Sequence, residues 1–297
     1  MKKEFFNVNV SAYIPEKNFC VKRPASLNNP KDNSVIFISE SELEKAAQNL
    51  DKVKECLVFC QNSFEIPSGL EEKHVFVKSE DARFSYCKFF KENNISYYLP
   101  EDENIKCVDG AFISENAKIG EGSVIMPGAY ISGEVTLGKN AYIGAGTKIV
   151  GKVTIGDDFC VRENCVIGSD SLTMDRDETG RGMTLPQFGG VSIGNDVRIA
   201  SGCSIGRGDI DDTIICDGVR IGDMCTVASN AYIGEDSFLI ISVALFSDVK
   251  IGRNCMISGN STIRENLTVG DNSTVGMGAV VVKNVPANTV VKGNPAK

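Results

Sequence analysis

The chain contains no tryptophan and a single histidine, His74. One imidazole rules out a polyhistidine metal centre and leaves at most one histidine for acid–base chemistry; no metal site is expected. No apolar run approaches the ~20 residues that a membrane-spanning helix needs. The amino-terminal stretch Met1-Lys2-Lys3-Glu4-Phe5-Phe6-Asn7 turns polar before a secretory signal core could form. Basic residues are outnumbered, 31 against 39 acids, for a net charge of −8. An acidic surface without a basic stripe disfavours nucleic acid. These absences lead to the expectation of a soluble, cytoplasmic protein that neither crosses a membrane nor binds nucleic acid.

With 297 residues, 42% of them hydrophobic, the chain can bury a sizeable core. Its 11 cysteines suggest disulfides or a metal cluster only until their positions are read. Cys56 and Cys60 are spaced too widely for a CxxC motif. Cys165, Cys203, Cys225 and Cys255 share one phase of the repeat described next, where a small buried side chain is wanted. They read as reduced core residues.

The organisation changes near residue 106. Residues 1–106 read as a mixed α/β domain. Strands are expected at Ser34–Ile38, Cys56–Cys60 and His74–Val77. Helices are expected at Glu40–Leu50 and at Asp81–Asn93, the latter with Phe84, Cys87, Phe89 and Phe90 on its apolar side. His74 opens a short apolar strand and reads as structural or surface. Tyr97–Glu103, with Pro100 followed by a charge run, reads as a linker.

Residues 107–297 carry a period of six. Aliphatics recur from Ile113 through Ile119, Ile125 and Ile131 to Ile167 without a slip. They resume at Ile193, Ile199 and Ile205, and run again from Ile215 to Val281. A glycine often follows, as at Gly120, Gly138 and Gly222, and a small residue commonly sits four positions after the aliphatic. Neither a helix nor simple strand alternation has this period. A triangular parallel β-coil does: each six-residue side points one aliphatic inward, glycine permits the corner, and three sides make a turn of 18 residues. About eight turns at ~4.8 Å each give a prism on the order of 40 Å long. Two interruptions break the series. Ser169–Gly182 is too polar for prism wall and must leave it as a loop. Arg207–Thr213 is a shorter insertion. Such loops on a regular scaffold are where function concentrates.

The hexapeptide prism resembles the left-handed β-helix acyltransferases, whose coils run against the usual right-handed crossover rule. Leu185-Pro186-Gln187-Phe188-Gly189-Gly190-Val191 and Arg207-Gly208-Asp209-Ile210-Asp211-Asp212-Thr213-Ile214 are similar to the UDP-3-O-acylglucosamine N-acyltransferases of lipid A synthesis. The amino-terminal order of strands and helices is similar to that family's uridine-binding domain. The resemblance implies a homotrimer with active sites in the clefts between adjacent prisms. It also implies acceptor contacts from Gln187, Arg207, Asp212 and Asn266. Both of the family's active-site histidines are replaced. Its catalytic Ile-Ala-His-Asn stretch reads Val227-Ala228-Ser229-Asn230, and the second histidine falls at Asn266. Where that family continues into helices used with acyl carrier protein, this sequence has Gly276–Pro286 and Val290–Lys297. These are similar to the coenzyme A-dependent acetyltransferases of nucleotide-linked amino sugars. That similarity implies donor contacts from Gly259, Gly276, Gly278, Lys283 and Lys292.

Counting in turns of 18 stacks Asp211, Ser229, Ser247, Glu265 and Lys283 along one edge, neighbours ~5 Å apart. Ser229 occupies the lost histidine's place, and Asn230 beside it is a further candidate catalytic residue. The resemblance gives the Ser247 backbone N–H the task of polarising the thioester carbonyl, and Glu265 or Asp211 could accept a proton. A base is dispensable if the departing thiolate takes the amine's proton, leaving the protein to orient the reactants and stabilise the oxyanion. The expected function is therefore transfer of a short acyl group, acetyl or 3-hydroxyacyl, from acyl-CoA to the amine of a nucleotide-linked amino sugar. No cofactor is permanently bound. An acyl-carrier-protein-dependent lipid A enzyme and a catalytically inactive trimeric sugar-nucleotide-binding module are the alternatives. A γ-class carbonic anhydrase on this fold is excluded, since its zinc needs three histidines.

Overall fold

The computed structural model describes residues 6–39, 42–95, 104–172, 174–176 and 179–297. The expected linker 97–103 and the first two residues of the expected helix at 40–50 lie outside them. The chain divides into two compact units, residues 1–97 with 172–188 and residues 98–171 with 189–297. The boundary falls earlier than 106 because the strand Ile105–Val108 pairs antiparallel with Ala111–Ser114 and so belongs to the repeat array.

The first unit holds a four-stranded parallel sheet in the order Arg23–Pro24, Ser34–Phe37, Leu57–Gln61, Val75–Ser79. Val35, Ile36, Leu57, Val58, Phe59, Cys60 and Val75 are all buried. Such consecutive apolar burial marks a parallel sheet rather than one with a wet face. Helices Leu43–Leu50 and Leu70–Lys73 lie between successive strands, and Ala82–Glu92 follows the last. Asp81 starts that final helix by accepting a hydrogen bond from Phe84 N–H at 2.9 Å. The helix buries Ala82, Tyr86, Cys87, Phe89 and Phe90. Tyr86, which the sequence pattern did not single out, stacks within 5.0 Å of Phe37, whereas Phe84 is only half-buried.

His74 is 1% exposed. Its Nδ1 accepts from Cys56 N–H at 3.3 Å, and its Nε2 lies 3.1 Å from the Leu50 carbonyl oxygen. A carbonyl can only accept, so the proton sits on Nε2 and the ring is neutral. Both nitrogens are used in joining a helix end to a strand, and the residue is structural.

The long insertion is more ordered than the expected loop. Met174–Arg176 pairs antiparallel with Gly182–Thr184. Met183, Leu185 and Phe188 are buried, and the Phe188 ring centroid is 5.1 Å from that of Phe90. The insertion therefore folds as part of the first unit, because its buried apolar residues cluster in its returning arm, in and just after that strand. Ser169–Ser171 remain with the second unit.

The second unit is a left-handed parallel β-helix. Its strands form three parallel sheets, the faces of the prism, with 9, 10 and 8 members; the ten include the antiparallel cap Ile105–Val108. The first face carries Ile113, the second Ile119 and the third Ile125, and each stacks in register on the residue one turn later. Two sides beyond Val281, at Val285 and Val291, complete nine turns rather than eight. The aliphatic ladder from Ile131 to Val291 is buried, together with Cys165, Cys203, Cys225 and Cys255. All 11 cysteines are free thiols. The glycine after the aliphatic does not act through left-handed backbone, as its role in the corner suggested. It permits close approach: a Cβ on Gly222 would lie 1.4 Å from the Ile240 carbonyl oxygen of the next turn. Left-handed φ occurs two positions later, mostly at Asn or Asp, as at Asn230 (φ 61°).

Burial holds the His74 pKa below its ordinary 6.5, against the hydrogen bond from its ring to Leu50. The stability this neutral ring contributes is complete above about pH 6.5 and is lost as pH falls below that value. We expect the urea midpoint of the first unit, followed by near-ultraviolet circular dichroism, to fall between pH 7.5 and 5.5. His74→Gln, which cannot charge, should flatten that slope; an unchanged slope would show that other groups set it.

Candidate functional site

The prism distributes the candidate residues over two of its edges. At the first edge, where the chain passes from the first face to the second, the register is Ile205 to Val227, Val227 to Leu245, Leu245 to Ile263 and Ile263 to Val281. Two residues after each lie Arg207, Ser229, Ser247, Glu265 and Lys283, which therefore form one stacked ladder. Asp211 is not on it. Counting back 18 from Ser229 overlooks the second insertion, which makes that turn four residues longer, so Arg207 stands where Asp211 was expected. Asp211 lies inside the insertion, its carbonyl oxygen 1.7 Å from where a Gly208 Cβ would be.

Both insertions leave from this edge, on consecutive turns. The first interrupts the passage from Ile167 to Ile193 and the second that from Ile205 to Ile215. Asn230 fastens the second one. Its Oδ1 accepts from Asp209 N–H at 2.8 Å, and its Nδ2 donates to Asp209 Oδ2 at 3.2 Å. Asp212 Oδ1 accepts from Gly190 N–H and from Lys152 Nζ, each at 2.8 Å. Lys152 is 60 positions away in sequence, and only the coil register brings it to Asp212.

Ser229 is 0% exposed. Ser229 is thus a buried corner serine, whose carbonyl accepts from Asp248 N–H at 3.0 Å. Ser247 is half-buried, and its N–H finds no acceptor among the described residues. Glu265 is exposed and lies 3.8 Å from its neighbour Arg264, a surface pair of small energetic weight. Asn266 is exposed with φ 61°, and Lys283 is exposed. Arg207 and Gln187 are both buried; Gln187 belongs to the first unit and is not on the ladder.

Gly259, Gly276, Gly278 and Lys292 stand on another edge, where the chain passes from the third face back to the first. A Cβ at Gly278 (φ 67°) would meet nothing within 4 Å. At Gly259 the Ile241 side chain already comes to 2.9 Å of the Cβ position. Lys283 and Lys292 are consequently not neighbours. Among the described residues no group of His, Cys, Asp and Glu is placed to hold a metal ion, and no helix is long and apolar enough to cross a membrane.

The chain is thus a hexapeptide-repeat left-handed β-helix, and it is similar to acyltransferases named for UDP-linked sugars. The family described as bacterial transferase hexapeptide (six repeats) matches residues 116–151 and 248–283, and the hexapeptide repeat of succinyl-transferase matches 212–235. UDP-3-O-acylglucosamine N-acyltransferase from Bordetella parapertussis is 40% identical over 97 residues, covering 32% of this chain and 27% of the relative. The Coxiella burnetii protein of the same name is 39% identical over 79 residues, 27% of this chain and 23% of its own. The chain thus spans about a quarter of the length of the curated relatives it matches. Among solved structures, UDP-N-acetylglucosamine acyltransferases from Campylobacter jejuni and Bacteroides fragilis superpose with TM-scores of 0.57 and 0.58. Each is 24% identical and covers 65% of this chain and 73% of the other, a likeness of fold.

Asn230 combines a left-handed backbone with two side-chain hydrogen bonds. Asn230→Gly removes the bonds and keeps the conformation easy, a loss of about 1–2 kcal/mol. Asn230→Ala adds left-handed strain of roughly 1 kcal/mol. The melting temperature should fall for Gly and further for Ala. Equal melting of all three proteins would show that the bonds to Asp209 carry no stability.

Proposed function

We propose that the protein transfers an acyl group from a thioester to the amine of a nucleotide-linked amino sugar. The observation that carries this reading is the stacked edge Arg207, Ser229, Ser247, Glu265, Lys283, from which both insertions emerge, on a fold shared with sugar-nucleotide acyltransferases. The neutral amine attacks the thioester carbonyl. Ser247 N–H, which has no acceptor among the described residues, donates to the oxyanion that forms. The carbon–sulfur bond breaks as the intermediate collapses, and the thiolate takes the proton released from nitrogen, giving an amide and free thiol. Ser229, being buried, neither donates nor accepts a proton in this scheme, and Glu265 is at most an auxiliary acceptor.

The donor is acyl-CoA in this reading, held at the other edge by Gly276, Gly278 and Lys292, with Lys283 reached from the first edge. Two edges of one triangular prism point outward in different directions, so donor and acceptor groups can face one another only across a cleft between prisms. This is the argument for a homotrimer, and it needs Lys283 of one prism and Lys292 of its neighbour on the same donor. The buried Ser229 in place of a histidine favours the second reading, a trimeric module that binds a sugar nucleotide without transfer.

Purified protein mixed with acetyl-CoA and a panel of UDP- and dTDP-linked amino sugars should release free thiol with at least one acceptor. Ser229→Ala should retain most of kcat, and Glu265→Gln should lose less than the ~10²-fold expected for removing a general base. Binding of a sugar nucleotide without thiol release from any acyl-CoA would replace the enzyme reading by the second one. Sedimentation as a monomer at micromolar concentration would exclude the trimer.

A further inference from the structure

Arg207 is the largest of the fully buried side chains among the described residues, 2% exposed, on an edge that continues on later turns through Ser229, Ser247, Glu265 and Lys283. A guanidinium keeps its charge when buried, so its donors have to be met by the protein. Nε and Nη2 both donate to the Gly189 carbonyl oxygen, at 2.8 and 2.5 Å, and Nη1 lies 3.8 Å from Asp170 Oδ1. Its backbone N–H donates to Ser169 at 3.0 Å. Asp170 lies on the outgoing stem of the long insertion, and Gly189 is its first residue after the return. One side chain therefore touches both stems.

The second insertion begins at the very next residue and is laced to the same return. Gly208 N–H and Thr213 N–H both donate to Gly190 O at 3.0 Å, and Asp212 takes Gly190 N–H. The space is closed to side chains. A Cβ on Gly189 would lie 2.1 Å from Asp211 O, and one on Gly151, two turns below, 3.2 Å from Arg207 Nη1. A guanidinium in this position is walled in by backbone and is not offered to a ligand.

We propose that Arg207 is a positioning residue. It clamps the two stems of the long insertion and the start of the short one into a single base, and so fixes where Asp212 and Asn230 stand beside the Ser229 corner. The clamp follows from the structure alone; its kinetic consequence rests on the acyl-transfer reading, in which this edge receives the acceptor.

Hydrogen exchange and steady-state kinetics on the full chain test it, using Arg207→Met, which keeps the length and apolar stem, and Arg207→Lys, which keeps the charge but not the fork. Exchange at the amides of Gly190, Gly208 and Thr213 should accelerate by about tenfold or more in Met and less in Lys, while Phe246 and Arg264 on later turns stay protected. The KM for the sugar nucleotide should rise by roughly tenfold with the donor KM changed much less. Unaltered exchange at the three amides, in either variant that folds, overturns the clamp. A donor KM that rises as much as the acceptor KM overturns its assignment to the acceptor side. If even the unaltered protein transfers no acyl group, the functional reading fails and the exchange measurement still decides the clamp.

Discussion

Everything in the second unit depends on one constraint: each turn must stack on the last with its inward aliphatic directly above its predecessor. The hydrogen bonds run from turn to turn, as in Gly222 N–H to Leu239 O, so a residue displaced on one turn would misplace every residue above it. Each fully buried aliphatic is worth roughly 1.5–3 kcal/mol relative to exposure, and that gain is collected only in register. The same constraint explains the glycines, whose missing Cβ lets adjacent turns meet at the corner, and the asparagines and aspartates that take the left-handed position. It explains too why the insertions are confined to edges. A face cannot accept an extra residue without losing its ladder, whereas an edge can extrude one and resume.

The scaffold therefore offers chemistry only what edges can carry. At the first edge the outward backbone groups and the side chains two residues past each aliphatic form a rigid row. The insertions rise from this row and are tied at their base by Arg207, Asn230 and Asp212. Such a row positions groups accurately but supplies few strong acids or bases. Ser229 is buried, Glu265 is in water beside Arg264, and the single histidine is committed to holding a helix to a strand in the other unit. An edge of this kind suits a reaction in which orientation and oxyanion stabilisation matter more than proton transfer, and aminolysis of a thioester is such a reaction.

The first unit follows different rules. Its sheet is parallel and buried, its last three strands are joined through helices, and its core is aromatic, with Tyr86, Phe89 and Phe90 on one helix against Phe37 and Phe59. The segment 172–188 is remote in sequence from this core, yet it contributes Met183, Leu185 and Phe188 to buried positions.

The period of six, read from sequence alone, determined the solenoid, its three faces, its inward residues and the two places where the chain departs from it. This was possible because a repeat stacked in register is a local pattern copied many times, and local patterns are legible. The strands at Ser34, Leu57 and Val75 were legible for the same reason. What needed the tertiary structure was every relation that crosses an irregularity. The four extra residues between Ile205 and Val227 moved Asp211 off the ladder and put Arg207 on it, which no count of 18 could reveal. The pairing of Lys152 with Asp212, the grip of Arg207 on Gly189, and the union of the 172–188 hairpin with the first unit join residues by register and burial. Sequence spacing does not encode those contacts, because an insertion resets the count and only the folded coil says where it resumes.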